Sequence, residues 1–340
     1  MSTTLADIAK RANVSASTVS RVISNHPDIS EDTRKNVLKI MEEMKYQPNI
    51  IARSLARNSS KTIGVVLASR TESALYKTFR HPLSMDIIGG LSVTAYRKGY
   101  NLLISGLGNM EEDERKIREL SAGGMTDGII YYFSRVDDPV IENLKKYKAP
   151  FVVLGKPSSH SDEVNWVDND NFRCAYQLTE LLIKSGRKKI AFAGASPNFV
   201  ISIDKVEGYK KALMDYGQPV DEKYIVAGKF ITENGYDMMQ KMIDDGIRPD
   251  AIIAQDDVLA FGMMNRMQEL GYRIPDDIAI ASFDNVPTAE FFRPGLTSVE
   301  MNAFELGVKA CELLLEHIEN KEARCSNIIV PSKIIKRNSI

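Results

Sequence analysis

Apolar residues recur at helical spacing through roughly the first 45 positions, and from Thr62 onward short apolar runs alternate with amphipathic stretches. The two rhythms predict two kinds of architecture. In the first stretch, Thr4 followed by Asp7 has the spacing of a capping box, with Asp in place of Glu, and opens a helix over Leu5–Ala12. Asn13-Val14 breaks it. Ser15 then caps a second helix, Ala16–Ser24, whose Val19, Val22 and Ile23 lie on one stripe. Asn25-His26-Pro27 reads as a loop. Ser30 caps a third helix, with Glu31 and Asp32 in the first turn, where the helix dipole favours acids. Its Val37, Leu38, Met41 and Met44 are expected to close a small core.

Pro48 ends this unit, because the residue before a proline is pushed out of helical conformation. Asn49 can cap a further short helix through Ala56, too short to be stable alone in water. Arg57-Asn58-Ser59-Ser60-Lys61 has the composition of a linker. Beyond it the strand candidates are Ile63–Leu67, Leu102–Ser105, Gly128–Tyr132, Phe151–Leu154, Ile190–Ala193, Ala251–Ala254 and Ile278–Ser282. Helix candidates between them are Met85–Lys98, Glu111–Ala122, Phe172–Ser185, Lys205–Tyr216, Tyr236–Asp245, Val258–Leu270 and Phe304–Glu319. Strand–helix alternation of this kind implies parallel sheets covered by helices. The rhythm restarts near Lys188, so two similar lobes are expected. The predicted fold class is an all-α head followed by an α/β body of two doubly wound parallel-sheet lobes. The expected domains are residues 1–47, a hinge over 48–61, and the two-lobed body over 62–340.

Composition adds little to this until charge is divided along the chain. The whole carries −1, but residues 1–61 hold ten Lys/Arg against six Asp/Glu, a basic head on an acidic body. That suits a polyanion partner for the head. No apolar run approaches the roughly 18 residues of a membrane span, and the first residues lack the apolar core of a signal peptide. A protein of the cytosol, without a membrane partner, is expected. Cys174, Cys311 and Cys325 are scattered and form no CxxC pair, which argues against a disulfide framework or a zinc site. Gly106-Leu107-Gly108 lacks the third glycine of a dinucleotide fingerprint, and no Walker pattern occurs. His26, His81, His160 and His317 show no triad or metal spacing. Neither an enzyme nor a bound metal or cofactor is expected.

A helix, a very short turn and a second helix form the layout in which the second helix enters the DNA major groove by its N-terminal end. Here that end is Ser15-Ala16-Ser17-Thr18, with Arg21 one turn on. Small and hydroxyl side chains allow close approach, and Arg21 can fork onto a guanine or clamp a phosphate. The bland alternative is a capped, solvated helix. In the body, ligands of doubly wound folds sit beyond the C-terminal ends of strands. The polar residues there are Ser69, Asp256-Asp257 and Asp284-Asn285, joined by Lys205 at a helix start. Carboxylates with a lysine suit sugar hydroxyls. An aspartate after a strand can equally cap the next helix, a reading that applies most to Asp257. Tyr131, Tyr132, Phe133 and Trp166 could stack on a sugar ring, although aromatics in strands are more often core.

The run TLADIAKRANVSASTVSRVISN, followed by YQPNIIARSLA, resembles the DNA-binding head of the lac/gal repressor family. The body resembles that family's two-lobed domain of the periplasmic-binding-protein type, through Asp256-Asp257…Ala260…Gly262 and Phe283-Asp284. VDNDN at 167–171 and ELLIKSGRKKIAF look most like the maltose-operon repressor subgroup. The resemblance implies that Ala16, Ser17 and Arg21 face bases. It places Thr4, Ser15, Thr18, Asn25 and Asn49 against DNA as well, the last four of these five on phosphates. It further implies that Leu55 wedges into a minor-groove step beside Ala52. Ser69, Lys205, Asp256 and Asp284 become the effector contacts, with Lys205 standing where the family usually has arginine. His81-Pro82-Leu83 stands where it has N-P-F-F. The implied protein is a homodimeric repressor of a sugar-utilisation operon, bound to double-stranded operator DNA and controlled by a maltose-type sugar. The chain's last residues, Lys336–Ile340, show no added tetramerising heptad helix, which favours the dimer. The alternative is a global carbon-catabolite regulator controlled by a partner protein.

Overall fold

A computed structural model describes residues 3–24, 26–46, 59–67, 72–107, 110–132, 135–228, 234–320 and 322–340. The expected hinge helix with Asn49, Ala52 and Leu55 lies outside the described residues, as do Asn25, Ser69, Gly108 and Phe133. Internal contacts divide the chain between Lys61 and Thr62.

The first unit holds α1 (Leu5–Ala12), α2 (Ala16–Ile23) and α3 (Glu31–Glu43). Thr4 and Asp7 form the reciprocal capping box: the Thr4 hydroxyl accepts from the Asp7 amide at 3.3 Å, and the Asp7 carboxylate accepts from the Thr4 amide at 2.9 Å. Asn13, in the left-handed region at φ 51°, ends α1. Ser24 is the C-cap of α2, one residue beyond the helix. Ile8, Val19, Val22, Val37, Ile40 and Met41 make the core. Leu38 was expected inside but is 48% exposed. It sits one position off the buried stripe, and Ile40 takes its place.

The second unit begins with β1 (Thr62–Leu67), α4 (Glu72–Arg80), α5 (Pro82–Arg97), β2 (Asn101–Gly106) and α6 (Met110–Ser121). It continues with β3 (Gly128–Tyr132), α7 (Pro139–Tyr147), β4 (Phe151–Leu154) and β5 (Asn165–Asp168). Then follow α8 (Asn171–Lys184), β6 (Ile190–Ala195), α9 (Val200–Asp215), β7 (Ile225–Ala227) and α10 (Gly235–Asp244). The last part comprises β8 (Ala251–Ala254), α11 (Asp257–Glu269), β9 (Ala279–Asp284), α12 (Thr288–Phe291), β10 (Thr297–Glu300), α13 (Ala303–Glu319), β11 (Asn327–Ile329) and β12 (Lys333–Ile335).

Two six-stranded sheets result, in the orders β11-β5-β4-β3-β1-β2 and β12-β10-β9-β8-β6-β7. All named pairings are parallel except β10 with β12. Because side chains alternate across a strand, each sheet feeds two cores. Ile63, Val65, Leu67, Ile130 and Tyr132 pack toward α5 and α13, while Val66, Ile129, Tyr131 and Trp166 pack toward α6 and α7. The aromatics of β3 and β5 are thus mainly core, although Tyr132 also reaches the cleft described below.

The two lobes are not consecutive stretches of chain, as the restart near Lys188 suggested. The chain passes between them after β5, after β10 and after β11, so α13 and β11 complete the first lobe from the far end of the sequence. Asn169 joins these three passages. Its Nδ2 donates to Met301 O at 3.0 Å and to Val330 O at 2.9 Å, and it is 4% exposed. The preceding Asp168 accepts from the Lys156 amide, the Asn169 amide and Asn171 Nδ2 at 2.7–2.9 Å.

Replacing Asn169 with Ala leaves two buried carbonyls without donors, and each such loss costs about 1–3 kcal/mol. A clear drop in the denaturant midpoint of the full chain is expected in equilibrium unfolding. An unchanged midpoint would mean that the passages hold together without it.

Candidate functional site

In the head, the start of α2 is an exposed array of hydroxyls. Ser15 Oγ accepts from the Thr18 amide at 3.0 Å and lies 2.7 Å from Ser17 Oγ and 2.8 Å from Thr18 Oγ1. Ala16, Ser17 and Arg21 are exposed, and the last two, four residues apart, share a helix face. The positive end of the helix dipole therefore opens outward among donors, with a guanidinium one turn away. Thr4 also lies on the surface, its hydroxyl and amide both donating to the Asp7 carboxylate.

In the body, both sheets change chain direction beside their first strand, at β1/β3 and at β6/β8, which is where doubly wound sheets open a crevice. Between the lobes lies a narrow cavity of about 40 Å³. Leu83, Tyr132, Lys156 and Asp168 line it from the first lobe, Ile201 and Asp284 from the second. Asp284 is the last residue of β9, not a residue beyond it, and has φ 106°, a left-handed conformation costly for a side chain with a Cβ. Its Oδ2 is buried and accepts no hydrogen bond among the described residues. Burial pushes its carboxyl up to about 6, against the opposing pull of His81 and Lys205.

Lys205 stands inside α9 and not at its start, because the helix begins five residues earlier, at Val200. Its side chain is 2% exposed; Nζ donates to Gln255 O at 3.1 Å and sits 4.0 Å from the centre of the Phe283 ring. Burial lowers its affinity for a proton, and Asp284 and Asp256 oppose that.

The helix cap expected most of Asp257 falls to Asp256. Asp256 caps α11, its Oδ1 accepting from the Leu259 amide at 2.7 Å. Asp257 points inward as a hub. It accepts from the Ser282 hydroxyl, from Ser298 Oγ at 2.6 Å and from the Val286 amide at 2.7 Å. These contacts brace the turn that presents Asp284. Burial and then the nearby Asp284 charge raise the Asp257 carboxyl to about 7.

The first lobe supplies a residue that stands at the family's N-P-F-F position but was not among the expected contacts. His81, the N-cap residue of α5, is 6% exposed, and its Nε2 lies 3.9 Å from both Asp256 Oδ1 and Asp284 Oδ2. Neither ring nitrogen has a hydrogen-bond partner among the described residues. Burial alone would lower the imidazole's proton affinity; the Asp256 carboxylate, then Asp284 and Asp257, reverse this to a net rise. The sequence signals for His81 were a histidine before a proline at the entry to a helix and the place of that pair in the run standing where the family has N-P-F-F. Lys205, Asp256 and Asp284 are brought together, as expected.

Residues 4–49 match the profile of bacterial regulatory proteins of the lacI family, and residues 35–338 that of periplasmic binding proteins and the sugar-binding domain of the LacI family. The chain belongs to the LacI family. Catabolite control protein A of Priestia megaterium is 33% identical over 341 aligned residues, covering 100% of this chain and 99% of the relative. The HTH-type transcriptional repressor PurR of Escherichia coli is 32% identical over 338, covering 99% and 96%. The solved complex of the transcriptional regulator CelR with cellobiose matches at a TM-score of 0.77 and 27% identity over 99% of both chains. The Lac repressor dimer bound to operator and the anti-inducer ONPF shares the fold, with a TM-score of 0.85 at 23% identity over 100% of this chain and 99% of that one.

As a LacI-family member the chain is a ligand-responsive transcriptional regulator and not an enzyme. Among the described residues no helix is long and apolar enough to cross a membrane, and no His, Cys, Asp or Glu cluster could hold a metal ion. Cys174 and Cys311 are buried and Cys325 is exposed, all three as free thiols.

The two aspartates separate by mutation. Asp256→Ala removes a helix cap and is expected to cost about 1 kcal/mol of folding stability. Asp257→Ala strands two hydroxyls and an amide, and should cost about 3 kcal/mol or more. Equal losses in urea titrations would contradict the hub.

Proposed function

We propose that this regulator is the repressor of a sugar-utilisation operon, acting as a homodimer whose operator affinity changes when a maltose-type sugar occupies the interlobe cleft. The supporting observation is the set of buried polar atoms without hydrogen-bond partners among the described residues, Asp284 Oδ2 and both nitrogens of His81, facing one another from opposite lobes. A ligand rich in hydroxyls satisfies both kinds of group, since each hydroxyl donates and accepts. The cellobiose held by the similar regulator CelR is a ligand of that chemistry. Lys205, Asp256 and Asp284 are the proposed contacts in the second lobe, with Ser69 in the first. Sugar bound in the cleft rotates the first lobes of a dimer, changes hinge spacing and lowers operator affinity.

On the DNA side, Ala16, Ser17 and Arg21 read bases in the major groove. Thr4, Ser15, Thr18, Asn25 and Asn49 hold the backbone, and Leu55 with Ala52 enters the minor groove. Two heads require a near-palindromic operator.

A second reading, a carbon-catabolite regulator controlled by a partner protein, draws on the 33% identity with catabolite control protein A. Calorimetry of the full chain with maltose and other neutral sugars separates the two. Heat and a raised melting temperature with one sugar are expected, following RT ln(1 + [L]/Kd); silence across the panel favours the partner-protein reading.

Arg21→Ala should weaken operator binding by about 1–3 kcal/mol and relax base preference at one position. For Leu55→Ala, specific binding should fall far more than binding to random duplex in gel-shift titrations. Equal loss on both would defeat the minor-groove wedge.

A further inference from the structure

The family resemblance names Ser69, Lys205, Asp256 and Asp284 as effector contacts, and says of His81 only that it opens the run standing where the family has N-P-F-F. Yet His81 is the first-lobe side chain whose ring nitrogen lies 3.9 Å from two second-lobe carboxylates. Both sides of the contact are preset. His81 is held at the N-cap of α5 by the rigid Pro82 that follows. Asp284 is aimed by a left-handed backbone that the Asp257 hub braces from Ser282, Ser298 and Val286. Asp256 is fixed as the cap of α11.

We propose that His81 is a built-in latch across the cleft, bridging Asp256 and Asp284 when no effector is bound and occupying the place an effector's donors would take. Its role as a competitor rests on the effector reading above; the bridge itself does not. The groups facing the imidazole are Asp256 and Asp257 at the start of α11 and Asp284 at the end of β9. Lys205 on α9 acts on both Asp256 and Asp284, and the Tyr132 hydroxyl on β3 lies near Asp284. Asp256 above all, then Asp284 and Asp257, make the imidazole hold its proton more tightly than an ordinary histidine, against its burial.

The sign of the pH dependence follows. His81 holds its proton more tightly in the folded chain than at the ordinary histidine value of 6.5. The latch therefore contributes fully below that value and fades as pH climbs through the higher folded-state value. Asp284 and Asp257, raised to about 6 and about 7, titrate in the same window, so the informative quantity is a difference between proteins.

The test is thermal unfolding of the full-length chain without sugar, between pH 5.5 and 9. Trp166, the single tryptophan, is buried in the first lobe and reports the transition by fluorescence. At pH 6 the His81→Gln chain is expected to melt about 2 °C or more below the parent. That gap should close toward pH 9 and be absent when the substitution is made in an Asp256→Asn/Asp284→Asn background. If His81→Gln folds poorly, His81→Asn gives a second measure: the same gap below the parent is expected at pH 6, closing toward pH 9. A gap constant with pH, or one that persists without the two carboxylates, overturns the latch. Because no sugar is present, either result stands apart from the sugar titrations.

Discussion

Both hydrogens of a single side-chain amide hold the three passages between the lobes together. Asn169 lies on the first passage and donates to Met301 O on the second and Val330 O on the third, and it is buried, so water competes little. The lobes can move relative to one another only where the backbone passes between them. Asn169 ties all three passages to one point. The cleft and the gap between His81 and the aspartates lie between the lobes on either side of that point. Asp168, one residue earlier, is raised to about 6 by burial even though three hydrogen bonds oppose that, which shows how dry that point is.

The cleft is built on the same economy of polar groups. Asp257 uses both its oxygens on the framework, Asp256 caps a helix through Oδ1, and Asp284 keeps a buried oxygen without a hydrogen bond among the described residues. Three carboxyls in so small a volume repel one another, and Lys205 and His81 balance them from two different elements. That balance is the physical ground for proposing an uncharged polar ligand, since an anion would meet the aspartates at close range. The head uses the opposite arrangement. The start of α2 leaves hydroxyls and a guanidinium in water, where a polyanion can displace solvent from them at little cost.

Much of this was legible in the chain. The three caps of the head follow from local chemistry, since Thr4, Ser15 and Ser30 bond to amides three residues away. Burial of Tyr131 and Trp166 follows from strand alternation. Elements read less well where the local pattern was short or polar. The strands Asn165–Asp168, Thr297–Glu300 and Lys333–Ile335 owe their structure to neighbours in a sheet assembled from distant parts of the chain. Leu38 fell off the buried stripe by one position, and Lys205 lay five residues into a helix whose start, Phe199, offers no side-chain cap to reveal it.

By itself the amino-acid sequence determined the caps and stripes of the three-helix head, the strand–helix rhythm of the body, and the family to which both belong. These are short-range matters, settled within one or two turns of chain by hydrogen bonds and periodicity. Only the tertiary structure decided that the last helix and a late strand return to the first lobe, that Asp257 is the brace and Asp256 the cap, and that His81 meets two aspartates more than 170 positions away. Those outcomes depend on which distant groups a fold must bury together. A buried carboxylate takes whatever donors the packing supplies, and no local pattern records which they will be.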